Sequence, residues 1–201
     1  MFFVVKRAFD IVVSALALIV LLPLFLILAI AIKLDSPGPV FFLQERLGKD
    51  GKPFNVFKFR SMFLGAEKLG VYEQKGDPRV TRVGRVIRPL SINELPQFIN
   101  ILKGEMSLIG PRPVLPQHPW DWAEATPDQR RRFKVKPGLT GWAAVNGRKN
   151  VPWERRVELD AEYAENPSLA FDLKIIWRTI WVVMSMKDSY NEDVPPDQGR
   201  T

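Results

Sequence analysis

The sequence predicts an α+β protein: an apolar N-terminal helix-hairpin, re-entrant in a membrane, anchors a mainly helical polar domain with a small β-hairpin and amphipathic, interfacial helices. Three observations carry this expectation. Residues 11–32 form an uncharged apolar run, about 33 Å long as a straight helix at ~1.5 Å per residue, enough to cross the hydrocarbon core. Two short alternating runs flank the polar turn 48–52, which is hairpin chemistry. Two amphipathic helical patterns close the chain, at residues 154–165 and 171–187. With 201 residues, one core is expected. The divisions are 1–34 for the membrane segment, 35–187 for the domain and 188–201 for a polar, disordered tail.

The apolar run is too long for a typical cleaved signal, and a cationic, cysteine-free domain follows it. Pro23 near its middle removes a backbone hydrogen bond and crowds the preceding turn, so a kink or break is expected there. Lys6 and Arg7 precede the run and Lys33 follows it, which leaves positive charge at both ends. Basic flanks prefer one side of a bilayer. A hairpin that enters and leaves on that side satisfies both; a kinked single span is the alternative.

Beyond the turn residues 35–39, strands are expected at 40–44 and 54–59, with Lys58 and Arg60 alternating against phenylalanines on one face. Residues 63–77 carry looser helical character. Arg79, Arg82, Arg85 and Arg88 recur every third position, a stripe on one helical face that is either solvated or turned to phosphates. Ser91 and Glu94 match a capping box, so a helix is expected from there to Lys103-Gly104. Asn93 and Glu94 then sit in its first turn, where backbone N–H groups and the dipole favour anions. Residues 109–113 form a stiff loop carrying Arg112. Asp172 reads as the opening of the last helix, whose tryptophans are expected mainly in the core and otherwise at a bilayer interface.

Composition narrows the chemistry. The absence of cysteine excludes disulfides and thiolate metal sites. A single histidine, His118, speaks against a serine–histidine–aspartate triad or a histidine-rich metal site as the basis for catalysis. The net charge of +7 suits phosphate-bearing partners: nucleic acid, nucleotides or an anionic membrane surface.

Six segments in order carry a resemblance: Phe57–Met62, Ser91–Gln97, Lys103–Ser107, Gly110–Pro113, Lys136–Trp142 and Val145–Arg148. With the basic-flanked apolar segment, they resemble the bacterial sugar transferase family, the small monotopic polyprenyl-phosphate phosphoglycosyl transferases. The resemblance runs from Lys6 to about Lys187. It implies a re-entrant helix with both ends at the cytoplasmic face of the bacterial inner membrane. It also implies transfer of a phosphosugar from a UDP-sugar to undecaprenyl or another polyprenyl phosphate, through a covalent enzyme intermediate. Glu94 is then the acidic partner and a ligand of Mg2+. Lys58, Arg60, Arg88, Arg112, Asn146 and Arg148 are candidates for substrate contact, and Asp172 is a further one. N-acetylated amino sugars are the favoured donors, and a homodimer is an open expectation.

One position departs from the family pattern. The nucleophilic aspartate is Asn93 here, and a carboxamide is a poor nucleophile and a weak ligand. Three readings stand. The residue is an Asp→Asn change that holds donor without turnover; it is native, with Glu94 or a direct displacement doing the chemistry; or the protein binds without turning over. The competing functional classes are a silent binder of nucleotide sugar or polyprenyl phosphate, and a nucleic-acid-binding protein. The apolar segment and the lack of a recognisable nucleic-acid module speak against the last.

Overall fold

The computed structural model describes residues 1–70, 76–117, 119–147 and 151–185. Arg148, His118 and the 188–201 tail lie outside them. Helix α1 (Phe2–Asp35) contains Pro23, and its helical assignment runs through the proline without interruption. One element therefore stands where the hairpin expectation has two legs. A proline deletes one bond of a long ladder, which the turns on either side survive.

Both ends of α1 dock on the same domain. At the first end, Arg7 donates to the carbonyls of Ile101 (2.5 Å) and Leu102 (2.8 Å), at the close of helix α3 (Gln97–Lys103). Asp10, buried just ahead of the uncharged run, accepts from the Leu108 N–H at 3.0 Å. At the other end, Leu28 and Ile32 pack with Phe59 and Ile87. Between the two, Leu16, Ile19, Val20 and Leu22 are exposed.

Strands β1 (Phe41–Leu47) and β2 (Pro53–Phe59) form the expected antiparallel hairpin, with Phe42 opposite Lys58 and Gln44 opposite Val56. Asn100 of α3 fastens the helix to it. Its Oδ1 accepts from Phe57 N–H and its Nδ2 donates to Asn55 O. Strands β3 (Ser107–Ile109) and β4 (Gly138–Thr140) pair in parallel. A Cβ on Gly138 would collide with the Gly110 backbone, so this close crossing requires glycine there.

The arginine stripe does not form as expected. Helix α2 spans only Arg82–Ile87, capped by the Thr81 hydroxyl. Arg79 lies before it and is bound to Asp77. Arg82 and Arg85 are exposed, and Arg88 donates to Ser61 Oγ at 2.8 Å. The capping box is also displaced. Ser91 adopts φ 57, its side chain caps nothing, and residues Ile92–Glu94 form a 3-10 turn ahead of α3. A left-handed serine cannot present its hydroxyl as an N-cap, which needs extended backbone. The motif appears instead as Thr126 and Gln129, around helix α4 (Pro127–Arg131).

Short helix α5 (Trp142–Val145), then α6 (Trp153–Glu165) and α7 (Leu169–Ser185), complete the chain. Ile175 of α7 is fully buried against Trp142, Leu159 and Tyr163. The opposite side of α7 exposes Leu173, Ile180 and Met184. Trp177 and Trp181, expected mainly in the core, are 76% and 74% exposed there. Helical periodicity puts them on the face away from Ile175.

Candidate active site

The 3-10 turn, the hairpin and the Gly110–Pro113 loop bring the cationic and carboxylate residues together. Glu94 accepts two hydrogen bonds from Arg112, Nη2 to Oε1 at 2.5 Å and Nη1 to Oε2 at 3.0 Å. This fork geometry fixes both planes. Lys58, from β2, lies beside them and donates to Gln44 Oε1 at 3.2 Å. Arg46, from β1, donates to the same oxygen at 2.6 Å and to Pro113 O at 3.2 Å. Arg46, Lys58, Gln97 and Arg112 line one cleft. Asn93 is buried in the turn, and among the described residues its side chain makes no hydrogen bond. The left-handed Ser91 that sets this turn costs about 1–2 kcal/mol, which the surrounding contacts must offset.

Like charges dominate the cleft. Burial, with Arg46 next, pulls the Lys58 ammonium down to about 7. Burial and Arg112 lower Arg46 to about 10. Arg112 holds the Glu94 carboxyl far below the usual carboxylate range against the opposing effect of burial. Lys58 sets a stability prediction. Between about 7 and 10.5 the unfolded chain keeps a lysine proton that the folded chain has released. The contribution of this group to stability therefore rises with pH through that window, and its cost is complete below it. Melting temperatures should favour Lys58→Met most at about pH 6, with the gap closing towards about pH 9.

The loop under Arg112 is held from behind. Arg132 Nη2 donates to Arg112 O at 2.7 Å and pairs with Asp160 at 2.6 Å, both side chains 1% exposed. Burial pushes the Asp160 carboxyl up and the Arg132 guanidinium down.

Other expected site residues are placed elsewhere. Arg60 is buried and donates to the carbonyls of Ile32, Ser36 and Pro37, so it caps the C-terminus of α1. Asp172 accepts from Lys6 Nζ and from Tyr163 Oη, both at 2.7 Å, tying α1 to α6 and α7. It lies inside the first turn of α7, while Ser168 Oγ accepts from Phe171 N–H ahead of it. Asn146 Oδ1 accepts from Arg178 and its Nδ2 donates to Trp142 O. Trp153 packs edge-on against Trp120 and under Arg156. Arg46, Gln44 and Gln97 join the site without having been expected there. The first two follow from strand alternation: Gln44 and Arg46 share the face that Lys58 occupies across the hairpin.

Among the described residues, no group of three carboxylate or histidine side chains is placed to hold a metal ion. A Mg2+ ion carried mainly by substrate phosphates needs only one or two protein carboxylates. Glu94 supplies one, and the neighbouring cations oppose a bare dication. Both Glu94 oxygens accept from Arg112 here, so a Mg2+ ion at this carboxylate would have to share it with the guanidinium.

Fold and site together give a protein with one long apolar N-terminal helix and, among the described residues, a cationic cleft beside one carboxylate, Glu94. The chain belongs to the bacterial sugar transferase family, whose model matches residues 1–186. It is 50% identical over 185 residues to an undecaprenyl-phosphate glucose phosphotransferase of Komagataeibacter xylinus, covering 87% of this chain and 35% of that protein. It is 44% identical to a UDP-N-acetylgalactosamine-undecaprenyl-phosphate N-acetylgalactosaminephosphotransferase of Aeromonas hydrophila, covering 90% and 44%. An exopolysaccharide production protein of Sinorhizobium fredii is 39% identical, covering 92% and 88%. The chain thus spans less than half the length of the first two relatives.

Proposed function

We propose that this chain has the site of a transferase that moves a sugar-1-phosphate from a UDP-sugar to a polyprenyl phosphate at the cytoplasmic face of a bacterial inner membrane, releasing UMP. The observation that carries this reading is the cationic cleft of Arg46, Lys58 and Arg112 beside Glu94 and position 93. Clustered cations with a carboxylate beside them suit a diphosphate, and Asn93, next to Glu94 in the same turn, holds the nucleophile's place in the family pattern.

In the two-step route, a carboxylate at 93 attacks the sugar-bearing phosphorus, and the P–O bond to UMP breaks. The acceptor phosphate then attacks the same phosphorus and breaks its bond to the protein. Arg112 and Lys58 hold the non-bridging oxygens and counter the charge that develops in transfer. Mg2+ bound at Glu94 would further neutralise the diphosphate. With Asn93, the first attack lacks its carboxylate. The protein is read as binding donor and stalling; a silent binder of the same ligands is the second reading, favoured by the same residue.

Two features support a one-sided membrane association. Both ends of α1 contact one polar domain, which a straight spanning helix does not allow. The exposed α7 face, with Trp177 and Trp181, suits the headgroup boundary, where amphipathic rings concentrate. The test is transfer from a panel of UDP-sugars to polyprenyl phosphate, which also selects between N-acetylated amino sugars and glucose. Asn93→Asp should form lipid-linked sugar diphosphate and the parent chain should not. Equal transfer by both would replace the two-step route with one through Glu94 or a direct displacement.

A further inference from the structure

Gln44 lies behind the cleft, on the strand neighbouring Lys58. Its Oε1 accepts from both Arg46 (2.6 Å) and Lys58 (3.2 Å). One neutral oxygen thus holds two cations side by side, each of which raises the cost of charging the other. Stability alone would favour a carboxylate at this point, because it would pair with both. A carboxylate is in fact next in sequence: Glu45. Strand alternation turns it to the other face, exposed and opposite Asn55, and only a one-residue slip of register would bring it in.

We infer that Gln44 is a positioning residue that gathers Arg46 and Lys58 without neutralising them, leaving their charge for an incoming nucleoside diphosphate. An amide oxygen orients N–H donors but brings no formal charge. The two cations keep their aim and, among the described residues, lack an internal counter-ion apart from the Glu94 carboxylate that Arg112 already occupies. The phosphates of the ligand complete the pairing. This inference rests on the proposed nucleotide-sugar site.

The experiment compares Gln44→Glu, Gln44→Met and Arg112→Ala in the full chain in detergent, reading UDP affinity by calorimetry and melting temperature in parallel. Gln44→Glu should melt at or above the parent temperature while binding UDP about ten-fold or more weakly, a split that a merely structural glutamine would not produce. Gln44→Met, close in volume but without the acceptor, should also weaken UDP binding. Parent-like affinity in either variant overturns the inference, as does a Gln44→Glu protein whose melting temperature falls along with its affinity. The Arg112→Ala arm separates the two levels. Unchanged UDP affinity there sinks the site itself, whereas a loss confined to Arg112→Ala leaves the site standing without the clamp.

Discussion

Asp160→Ala should lower the melting temperature by roughly 10 °C, the largest stability effect expected of a single substitution here. Its carboxylate is the charged partner of Arg132, and both are 1% exposed. Removing one member of a buried pair leaves an uncompensated charge, which costs about 3–5 kcal/mol. For a protein of this length, an unfolding entropy of ~2.1 cal/mol/K per residue converts that into roughly 7–12 °C. Replacing both members by apolar residues, Arg132→Met with Asp160→Leu, should recover much of the loss, because the desolvation cost disappears with the pair. The double variant should still bind UDP less tightly. The Arg112 carbonyl loses the donor that fixes the Gly110–Pro113 loop. Calorimetry and UDP titration on the two variants check both statements, and recovery of both stability and affinity in the double variant would remove the link to the loop.

Arg112→Ala is expected to have the opposite profile. The Arg112 side chain is 48% exposed, and exposed ion pairs contribute about 0–1 kcal/mol, so the melting temperature should change little. UDP-sugar affinity should fall roughly 10- to 150-fold, the equivalent of about 1.5–3 kcal/mol for lost charge-assisted hydrogen bonds. Arg112→Lys should recover little, because a point ammonium cannot present two parallel N–H groups to a phosphate or to Glu94. Equilibrium binding with a labelled UDP-sugar decides this. Full affinity in Arg112→Lys would show that charge alone, and not the fork, is recognised.

The parts of this site legible in the sequence are those governed by local rules. Alternation found the hairpin and put Lys58 on its useful face. The run of motifs found Asn93, Glu94 and Arg112. What local rules missed depends on distant partners. Arg60 follows Lys58 by two positions and looks equivalent to it, yet the carbonyls of Ile32, Ser36 and Pro37 claim it. That requires the end of α1 to pack over the end of β2, which no short window reveals. Asp172 has a cap-like sequence position but meets Lys6, 166 residues away. The capping reading at Ser91 failed because the loop before it enters the turn left-handed, while the same pattern worked at Thr126, where the backbone is extended. That Arg46 shares a face with Lys58 follows from strand alternation only once the first strand is carried past Gln44 to Leu47.

The central claim is that this is a phosphosugar transferase site complete except for the carboxylate at position 93. Its most direct test is UMP release from a UDP-sugar in the absence of any acceptor, measured alongside the intact protein mass. Asn93→Asp should release about one UMP per protein and gain the mass of one phosphosugar, with the parent chain doing neither. Equal UMP release from the two proteins, with no adduct on Asn93→Asp, would contradict the claim.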